Sequence, residues 1–137
     1  MPYKDQQEQQ ELLFKLSMFE QHIQQLQQQL ESVEKGLVEL SSLSSGLDDL
    51  IGEEGKEILA PVGRGIFAKT KLFSEDLIID VGRGIFVKKN IPETRKIINE
   101  QIVRLEDVKK ELNKNLGEVN KEVAKVIEGV KEGSKVK

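Results

Sequence analysis

Cysteine and tryptophan are absent from this sequence of 137 residues, and aromatic residues make up only 4% of it. Without cysteine the chain has neither a disulfide framework nor a thiolate for catalysis or metal binding, a composition that suits a reducing compartment. So few bulky apolar side chains do not build a large compact interior within one chain. We therefore expect the apolar residues to pack along narrow seams.

A surplus of one charge is also missing. The 21 lysines and arginines nearly balance the 24 aspartates and glutamates, and no long basic block is available to follow a phosphate backbone. No apolar stretch approaches the roughly 18 residues of a membrane span, and the N-terminal residues are polar and rich in glutamine, unlike a signal peptide. These absences predict a soluble, cytoplasmic protein that binds neither nucleic acid nor membranes.

The apolar residues in the first part of the chain recur in alternating steps of four and three, the spacing of a coiled-coil seam. The seam comprises Leu12, Leu16, Phe19, Ile23, Leu26, Leu30, Val33, Leu37, Leu40, Leu47 and Ile51. Ser44 is its polar member, and Gly36 and Gly46 each reduce helix propensity by about 1 kcal/mol. The pattern predicts a helix over residues 5–52.

A second seam with the same spacing predicts a helix over residues 92–131. It comprises Ile98, Ile102, Leu105, Leu112, Leu116, Val119, Val123, Val126 and Val130, with Lys109 as its polar member. Asn90, Pro92 and Glu93 suit a helix cap and first turn. The short segment between the helices favours an antiparallel pair. Membrane-surface helices are disfavoured, because the first helix is rich in Gln and Glu rather than in Lys and Arg.

Between the helices the sequence Val-Gly-Arg-Gly-Ile-Phe occurs at residues 62–67 and again nineteen residues later at 81–86. In each copy an apolar stretch precedes the Gly-Arg-Gly and a strand-like stretch follows it, which predicts two tight β-hairpins within residues 57–89. A Gly-x-Gly also occurs in phosphate-binding loops. Turn geometry is favoured here, because the glycines lie between strands and no Gly-Lys-Ser/Thr follows.

Alternation along the predicted strands places apolar side chains on one face of each hairpin. Four short strands expose their edges and cannot close around that face, so another copy or a companion chain should complete a barrel. The residues predicted to form this assembly face are Ile58, Val62, Ile66, Ala68, Leu72, Leu77, Ile79, Val81, Ile85 and Val87.

Side chains capable of catalysis are few and scattered. The single histidine, His22, is predicted to lie on the surface of the first helix, about twenty residues from the serines around Leu43. That separation is too large for a base to reach a nucleophile, and no second histidine is available to share a metal ion. The sequence therefore predicts no catalytic residue, no metal site, no cofactor and no enzyme.

The order helix, two hairpins and helix resembles the alpha-class subunits of prefoldin. The resemblance covers nearly the whole chain and is most specific between Glu57 and Lys89, where Ile58-Leu59-Ala60-Pro61-Val62-Gly63 leads into one hairpin and Leu77-Ile78-Ile79-Asp80-Val81-Gly82 into the other. Beta-class subunits carry one hairpin, so the duplication favours the alpha class. Richness in Lys, Glu and Ile favours an archaeal source.

The resemblance implies an α+β fold: a long antiparallel coiled-coil helical hairpin, with two β-hairpins between the helices that join an intersubunit β-barrel. Residues 1–137 would form a single subunit of a hetero-hexamer of two alpha-class and four beta-class subunits. The implied function is that of a molecular chaperone that holds non-native proteins without ATP hydrolysis and delivers them to a group II chaperonin.

The positions of the helices in this arrangement indicate where client proteins would bind. The start of the first helix and the end of the second would form the distal tip, and Leu13, Phe14 and Ile127 lie there outside the seams. The full predicted client-binding set is Leu12, Leu13, Phe14, Leu16, Val126, Ile127 and Val130. The alternative to client binding is that these residues pack on each other at fraying helix ends.

The two coiled-coil seams are also compatible with a function of a different class. A structural coiled-coil scaffold or adaptor would use its helices to bind specific partner helices. Such a scaffold would bind few defined partners and would leave unfolded model proteins to aggregate, so an assay of aggregation suppression separates it from a chaperone subunit.

Overall fold

The computed structural model describes the backbone of residues 2–135 and the side chains of residues 6–129. In chain order it contains α1 (Pro2–Leu50), β1 (Glu57–Gly63), β2 (Ile66–Lys71), β3 (Leu77–Gly82), β4 (Ile85–Lys89) and α2 (Ile91–Lys135). The strands form two separate antiparallel sheets, β1 with β2 and β3 with β4. The predicted order of two long helices with two β-hairpins between them is confirmed.

The end of α1 differs from the sequence-based prediction. The helix stops at Leu50, and Ile51, predicted to continue the seam, is exposed in the following turn. Gly52 adopts a positive φ of 78° just beyond the helix, a left-handed conformation that commonly terminates helices and favours glycine. Leu50 packs against the apolar cluster at this end instead, so the prediction for Ile51 is wrong.

The start of α2 follows from a side-chain cap. The Oδ1 of Asn90 accepts a hydrogen bond from the backbone N–H of Glu93 at 2.8 Å, and the Thr94 hydroxyl donates to the Asn90 carbonyl at the same distance. An Asn at this position satisfies an N–H group that has no partner within the helix. The cap predicted at Asn90 is therefore present.

The chain divides into two compact units. The first, the helical unit, contains Met1–Gly36 and Leu105–Lys137. Its buried core comprises Leu26, Leu30, Leu112 and Val119, and Phe19, Ile23, Val33, Leu116 and Val123 pack against them. All nine residues belong to the two predicted seams, so the heptad spacing identified the packing face of each helix in this unit.

Two close approaches set the pairing of the helices within the helical unit. Gly36 lies so near Leu105 that an added Cβ would stand 3.3 Å from its Cδ1 atom. The ammonium group of Lys109 lies 3.7 Å from a carboxylate oxygen of Glu34. Lys109 is half-buried, so its alkyl stem lies along the seam while its charge reaches the edge.

The second compact unit, the hairpin unit, spans Leu37–Arg104. Its buried residues Leu47, Ile91 and Ile98 form a small cluster, against which Leu40, Leu50, Leu77 and Ile102 pack. Arg95 and Asp48 form an ion pair between the two helices of this unit. Because Leu77 begins β3, the cluster joins the second hairpin to the adjacent helix ends.

Candidate functional site

The tip of the helical unit is formed by the first turns of α1 and the last turns of α2. Glu34 pairs with Lys109 and Gly36 adjoins Leu105, so the helices run antiparallel here. Moving toward the start of α1 therefore corresponds to moving toward the end of α2. This register places the turn around Leu16 opposite the turn around Val126, as the sequence predicted.

The predicted client-binding residues at this tip divide into two groups. Leu12, Leu16 and Val126, which continue the seams, are half-buried. The off-seam residues are exposed: the exposed fraction is 67% for Leu13, 69% for Phe14 and 44% for Ile127. The side chain of Val130 lies outside the described residues.

Met18 was not predicted, yet it is also exposed at this tip. It lies four residues after Phe14, so both side chains project from the same side of α1. The Phe14 to Met18 spacing was available in the sequence, and a search for apolar residues off the seam would have found it. Together Leu13, Phe14 and Met18 give α1 an apolar surface that the partner helix does not cover.

The repeated Gly-Arg-Gly segments form the turns of the two hairpins. Arg64 and Gly65 have φ values of 49° and 81°, and their equivalents Arg83 and Gly84 have φ values of 55° and 73°. Two consecutive left-handed residues form a type I′ turn, the two-residue connection that matches the twist of paired strands. The glycines therefore form hairpin turns, the role that the sequence favoured over nucleotide binding.

Each turn is preceded by a bulge in the first strand of its hairpin. Pro61 pairs with Phe67 and Gly63 pairs with Ile66, which leaves Val62 without a residue opposite it. The second hairpin repeats this irregularity between Asp80 and Gly82, and there Asp80 accepts a hydrogen bond from the Gly82 N–H at 2.9 Å. The duplicated sequence thus produces duplicated backbone geometry.

We call the half-buried side of each hairpin the sheltered face. In the first hairpin the cross-strand pairs Ile58 with Thr70 and Ala60 with Ala68 lie on it, and in the second Ile79 with Val87. Of the predicted assembly residues, Ile58, Ala68, Leu72, Leu77, Ile79 and Val87 are half-buried, whereas Val62, Ile66, Val81 and Ile85 beside the turns are exposed.

The opposite side of each hairpin, the outer face, was not predicted to be functional. It carries Leu59 and Phe67 in the first hairpin and Ile78 and Phe86 in the second. All four side chains are more than half exposed, with Phe67 at 56% and Phe86 at 62%. The alternation of residues along each strand could have identified this face from the sequence. These apolar residues occupy positions where a solvated face would carry polar side chains.

The segment between the hairpins is held by contacts near its C-terminal end. Glu75 accepts a hydrogen bond from the Gly52 N–H at 2.6 Å, and Asp76 forms an ion pair with Lys88 at 3.4 Å. Phe73, at the start of this segment, is 93% exposed. The predicted turn over residues 73–76 therefore connects the hairpins and presents an aromatic ring to solvent.

The histidine and the serine cluster considered in the sequence analysis lie apart along α1. His22 is exposed, and the serines near Leu43 lie further along α1. Among the residues that the structure describes, no group of three His, Cys, Asp or Glu side chains converges to hold a metal ion. Within the same part of the chain, neither helix combines the length and apolar character that crossing a membrane requires.

Comparison with known proteins identifies relatives with one shared name. The family described as "Prefoldin subunit" matches residues 19–132. A prefoldin subunit alpha from Methanobrevibacter smithii is 35% identical over 111 residues, covering 80% of this chain and 76% of that protein. A prefoldin subunit alpha from Methanosphaera stadtmanae is 26% identical over 95 residues, covering 69% of each chain.

A solved structure has the same fold. A chain from the cryo-EM structure of filamentous PFD from Methanocaldococcus jannaschii superposes with a TM-score of 0.74 at 20% sequence identity. The match covers 84% of this chain and 97% of the other. The resemblance to alpha-class subunits from archaea, first seen in the duplicated hairpin, is thus confirmed by independent comparisons.

Proposed function

This chain belongs to the prefoldin family, and we propose that it acts as one subunit of an ATP-independent chaperone that holds non-native proteins. The observation that carries the proposal is the apolar surface at the tip of the helical unit, where Leu13 and Phe14 are about two-thirds exposed. Exposed apolar groups of this kind bind the apolar segments that unfolded proteins present and folded proteins bury.

The assembly proposed for the chain is a cytoplasmic hetero-hexamer of two alpha-class and four beta-class subunits, with residues 1–137 as a single subunit. Its sheltered faces would join the companion subunits in an intersubunit β-barrel. Two observations support this: each hairpin is a two-stranded sheet, and each has an apolar side that the chain covers only in part. Isolated two-stranded hairpins are marginally stable in water, so additional strands stabilise them.

Client binding at such tips is weak at each site and strong in combination. Burial of apolar surface contributes about 25 cal/mol per Å², so a few side chains on one helix provide only a few kcal/mol. Several tips in one assembly bind the same chain together, and the second contact is made at high effective concentration. Binding of this kind needs no nucleotide and is readily reversed, which suits transfer of the client to a group II chaperonin.

The test of the proposal is the triple variant Leu13→Ser, Phe14→Ser, Ile127→Ser. These side chains lie off the seams, so we expect normal assembly and a severalfold loss in aggregation suppression of a chemically unfolded model protein. The loss should be larger than the sum of the single losses, because the tips act multivalently.

A matched control is available in the hairpin unit. Val38, Leu43 and Val103 are exposed apolar residues on α1 and α2, so their serine variants remove comparable apolar surface away from the tip. The control triple should suppress aggregation as well as the parent does. If the tip triple assembles normally and also holds clients as the parent does, its tips do not bind clients. If the parent itself leaves unfolded proteins to aggregate, a coiled-coil scaffold or adaptor that binds specific helices becomes the better assignment.

A further inference from the structure

The glutamines of this chain are concentrated on one helix. Ten of the eleven glutamines lie within residues 6–29 of α1, and the side chains of all ten are exposed. Within the described residues, none of their amide groups forms a hydrogen bond with another group of the chain. Each glutamine therefore offers its surroundings a hydrogen-bond donor and an acceptor, as a peptide group does.

Helical spacing places half of these glutamines in line with exposed apolar residues of the tip. Steps of three and four residues connect neighbours along one side of a helix. Such steps continue the line of Phe14 and Met18 in both directions. They define what we call the amide stripe: Gln7, Gln10, Phe14, Met18, Gln21, Gln25 and Gln28. Every member of the stripe is exposed, and none is charged.

Exposure to water does not by itself account for this composition. Residues 6–29 of α1 contain four charged residues, whereas residues 106–129, an equal length of α2 in the same unit, contain eleven and no glutamine. Glutamine, glutamate and lysine have similar helix propensities, so helix formation does not select glutamine for α1. The uncharged surface is thus a property of one helix, and it continues the apolar surface of the tip.

We propose that the amide stripe binds the main chain of an extended segment of a non-native protein. The inference rests on the proposed chaperone function and specifies what the tip recognises. Phe14 and Met18 contact apolar side chains of the client, while the glutamine amides form hydrogen bonds with its peptide groups. From Gln7 to Gln28 the stripe is about 30 Å long, the length of an extended segment of about ten residues.

Recognition of peptide groups fits the absence of charge from the stripe. Every unfolded chain presents peptide groups without partners in the protein, whatever its sequence, whereas a charged surface favours clients of opposite charge. A single hydrogen bond between neutral groups contributes little net affinity, so several glutamines in line act together. The stripe therefore adds affinity for unfolded chains without selecting among their sequences.

The test uses two variants of the full chain that each replace four glutamines with two glutamates and two lysines, which leaves the net charge unchanged. The stripe variant carries Gln10→Lys, Gln21→Glu, Gln25→Lys and Gln28→Glu. The control variant changes glutamines that lie off the stripe: Gln6→Glu, Gln9→Lys, Gln24→Glu and Gln27→Lys. Both should fold like the parent, because all eight positions are exposed and the new residues have good helix propensity.

Each protein is titrated with two labelled peptides of about ten uncharged, apolar residues, a length that matches the stripe. The peptides are identical except that one is methylated at alternate peptide nitrogens. By fluorescence anisotropy, the parent and the control variant should bind the unmethylated peptide at least about fivefold more tightly, because methylation removes donors that the glutamines engage. The stripe variant should bind both peptides with equal, weaker affinity. Comparing these ratios between proteins removes the effect of methylation on the free peptide.

Equal binding of the two peptides by the parent, or a stripe variant that discriminates between them as the parent does, would overturn the proposal. This failure is distinguishable from failure of the chaperone function. If the parent binds both peptides equally and the triple variant Leu13→Ser, Phe14→Ser, Ile127→Ser binds neither, the tip holds clients through its apolar groups alone. A parent that binds neither peptide and leaves unfolded proteins to aggregate would contradict both the chaperone function and the role of the amide stripe.

Discussion

Gly36 shows how one missing side chain sets the distance between two helices. An added Cβ would lie 3.3 Å from the Cδ1 of Leu105, closer than most van der Waals contacts, whereas a Cβ at Gly117 or Gly46 would meet nothing within 4 Å. All three glycines lie in helix interiors, where glycine costs about 1 kcal/mol relative to alanine. The cost is offset by close packing at Gly36 only.

This difference leads to a prediction for three alanine variants. Gly117→Ala should raise the free energy of unfolding by about 0.5–1 kcal/mol, because it restores helix propensity without a new contact. Gly36→Ala should raise the free energy of unfolding by less than this, or lower it, because Leu105 must move to admit the methyl group. Urea unfolding monitored by circular dichroism measures both values.

Gly117 is the matched control because it belongs to the same helical unit as Gly36, and Gly46 provides a second control in the hairpin unit. Equal stabilisation by all three substitutions would show that Leu105 is free to shift. In that case the close approach at Gly36 would not affect the free energy of unfolding.

At the scale of the element, each hairpin is a two-stranded sheet with little of its surface packed against the rest of the chain. The turns and registers are well defined, but each sheet has only two strands, and both faces carry apolar residues. Only Leu77 packs against the buried cluster of the hairpin unit among the strand residues described. The sequence of each hairpin therefore sets its turn and register, and we expect association with other chains to stabilise it.

Ile79→Asp should prevent assembly with companion subunits while most of the helical signal remains. Ile79 is half-buried on the sheltered face opposite Val87, where a carboxylate would lose its water on assembly. The cost should be at least about 3 kcal/mol, equivalent to roughly a hundredfold weaker association. Native mass spectrometry with a candidate beta-class partner and circular dichroism measure the two effects.

Val38→Asp introduces the same charge at an exposed position of α1 and serves as the control. It should assemble like the parent. Loss of the helical signal in Ile79→Asp would mean that the hairpins and helices do not fold independently. Normal assembly of Ile79→Asp would show that the sheltered face does not take part in the proposed barrel.

For the molecule as a whole, the small amount of buried apolar surface is the dominant feature. Its described buried apolar residues are Leu26, Leu30, Leu47, Ile91, Ile98, Leu112 and Val119. Large side chains such as Phe67, Phe73 and Phe86 are mostly exposed. For a chain with so few buried apolar residues, we expect association with other chains to contribute much of the stability.

Hydrogen exchange should therefore differ between the two units. In the chain without companion subunits, amides of residues 57–89 should exchange quickly, while those of residues 19–33, which line the helical core, should be protected. Addition of companion subunits should slow exchange in residues 57–89 by at least tenfold. Hairpin amides that are already as protected as the helical core would contradict the dependence on assembly.

The sequence by itself determined the elements and their packing faces, because both follow from local periodicity. Steps of four and three placed Leu26 and Leu112 in the core, and the duplicated Gly-Arg-Gly placed two tight hairpin turns, whose φ values in the structure are those of type I′. Only the tertiary structure decided where α1 ends and which hairpin surfaces stay open. Leu50 rather than Ile51 packs in the apolar cluster, because α1 ends at Leu50, two residues before the left-handed Gly52. The N–H of Gly52 donates a hydrogen bond to Glu75, 23 residues away. The exposure of Phe67 and Phe86 likewise depends on what packs against each hairpin, which no local pattern specifies.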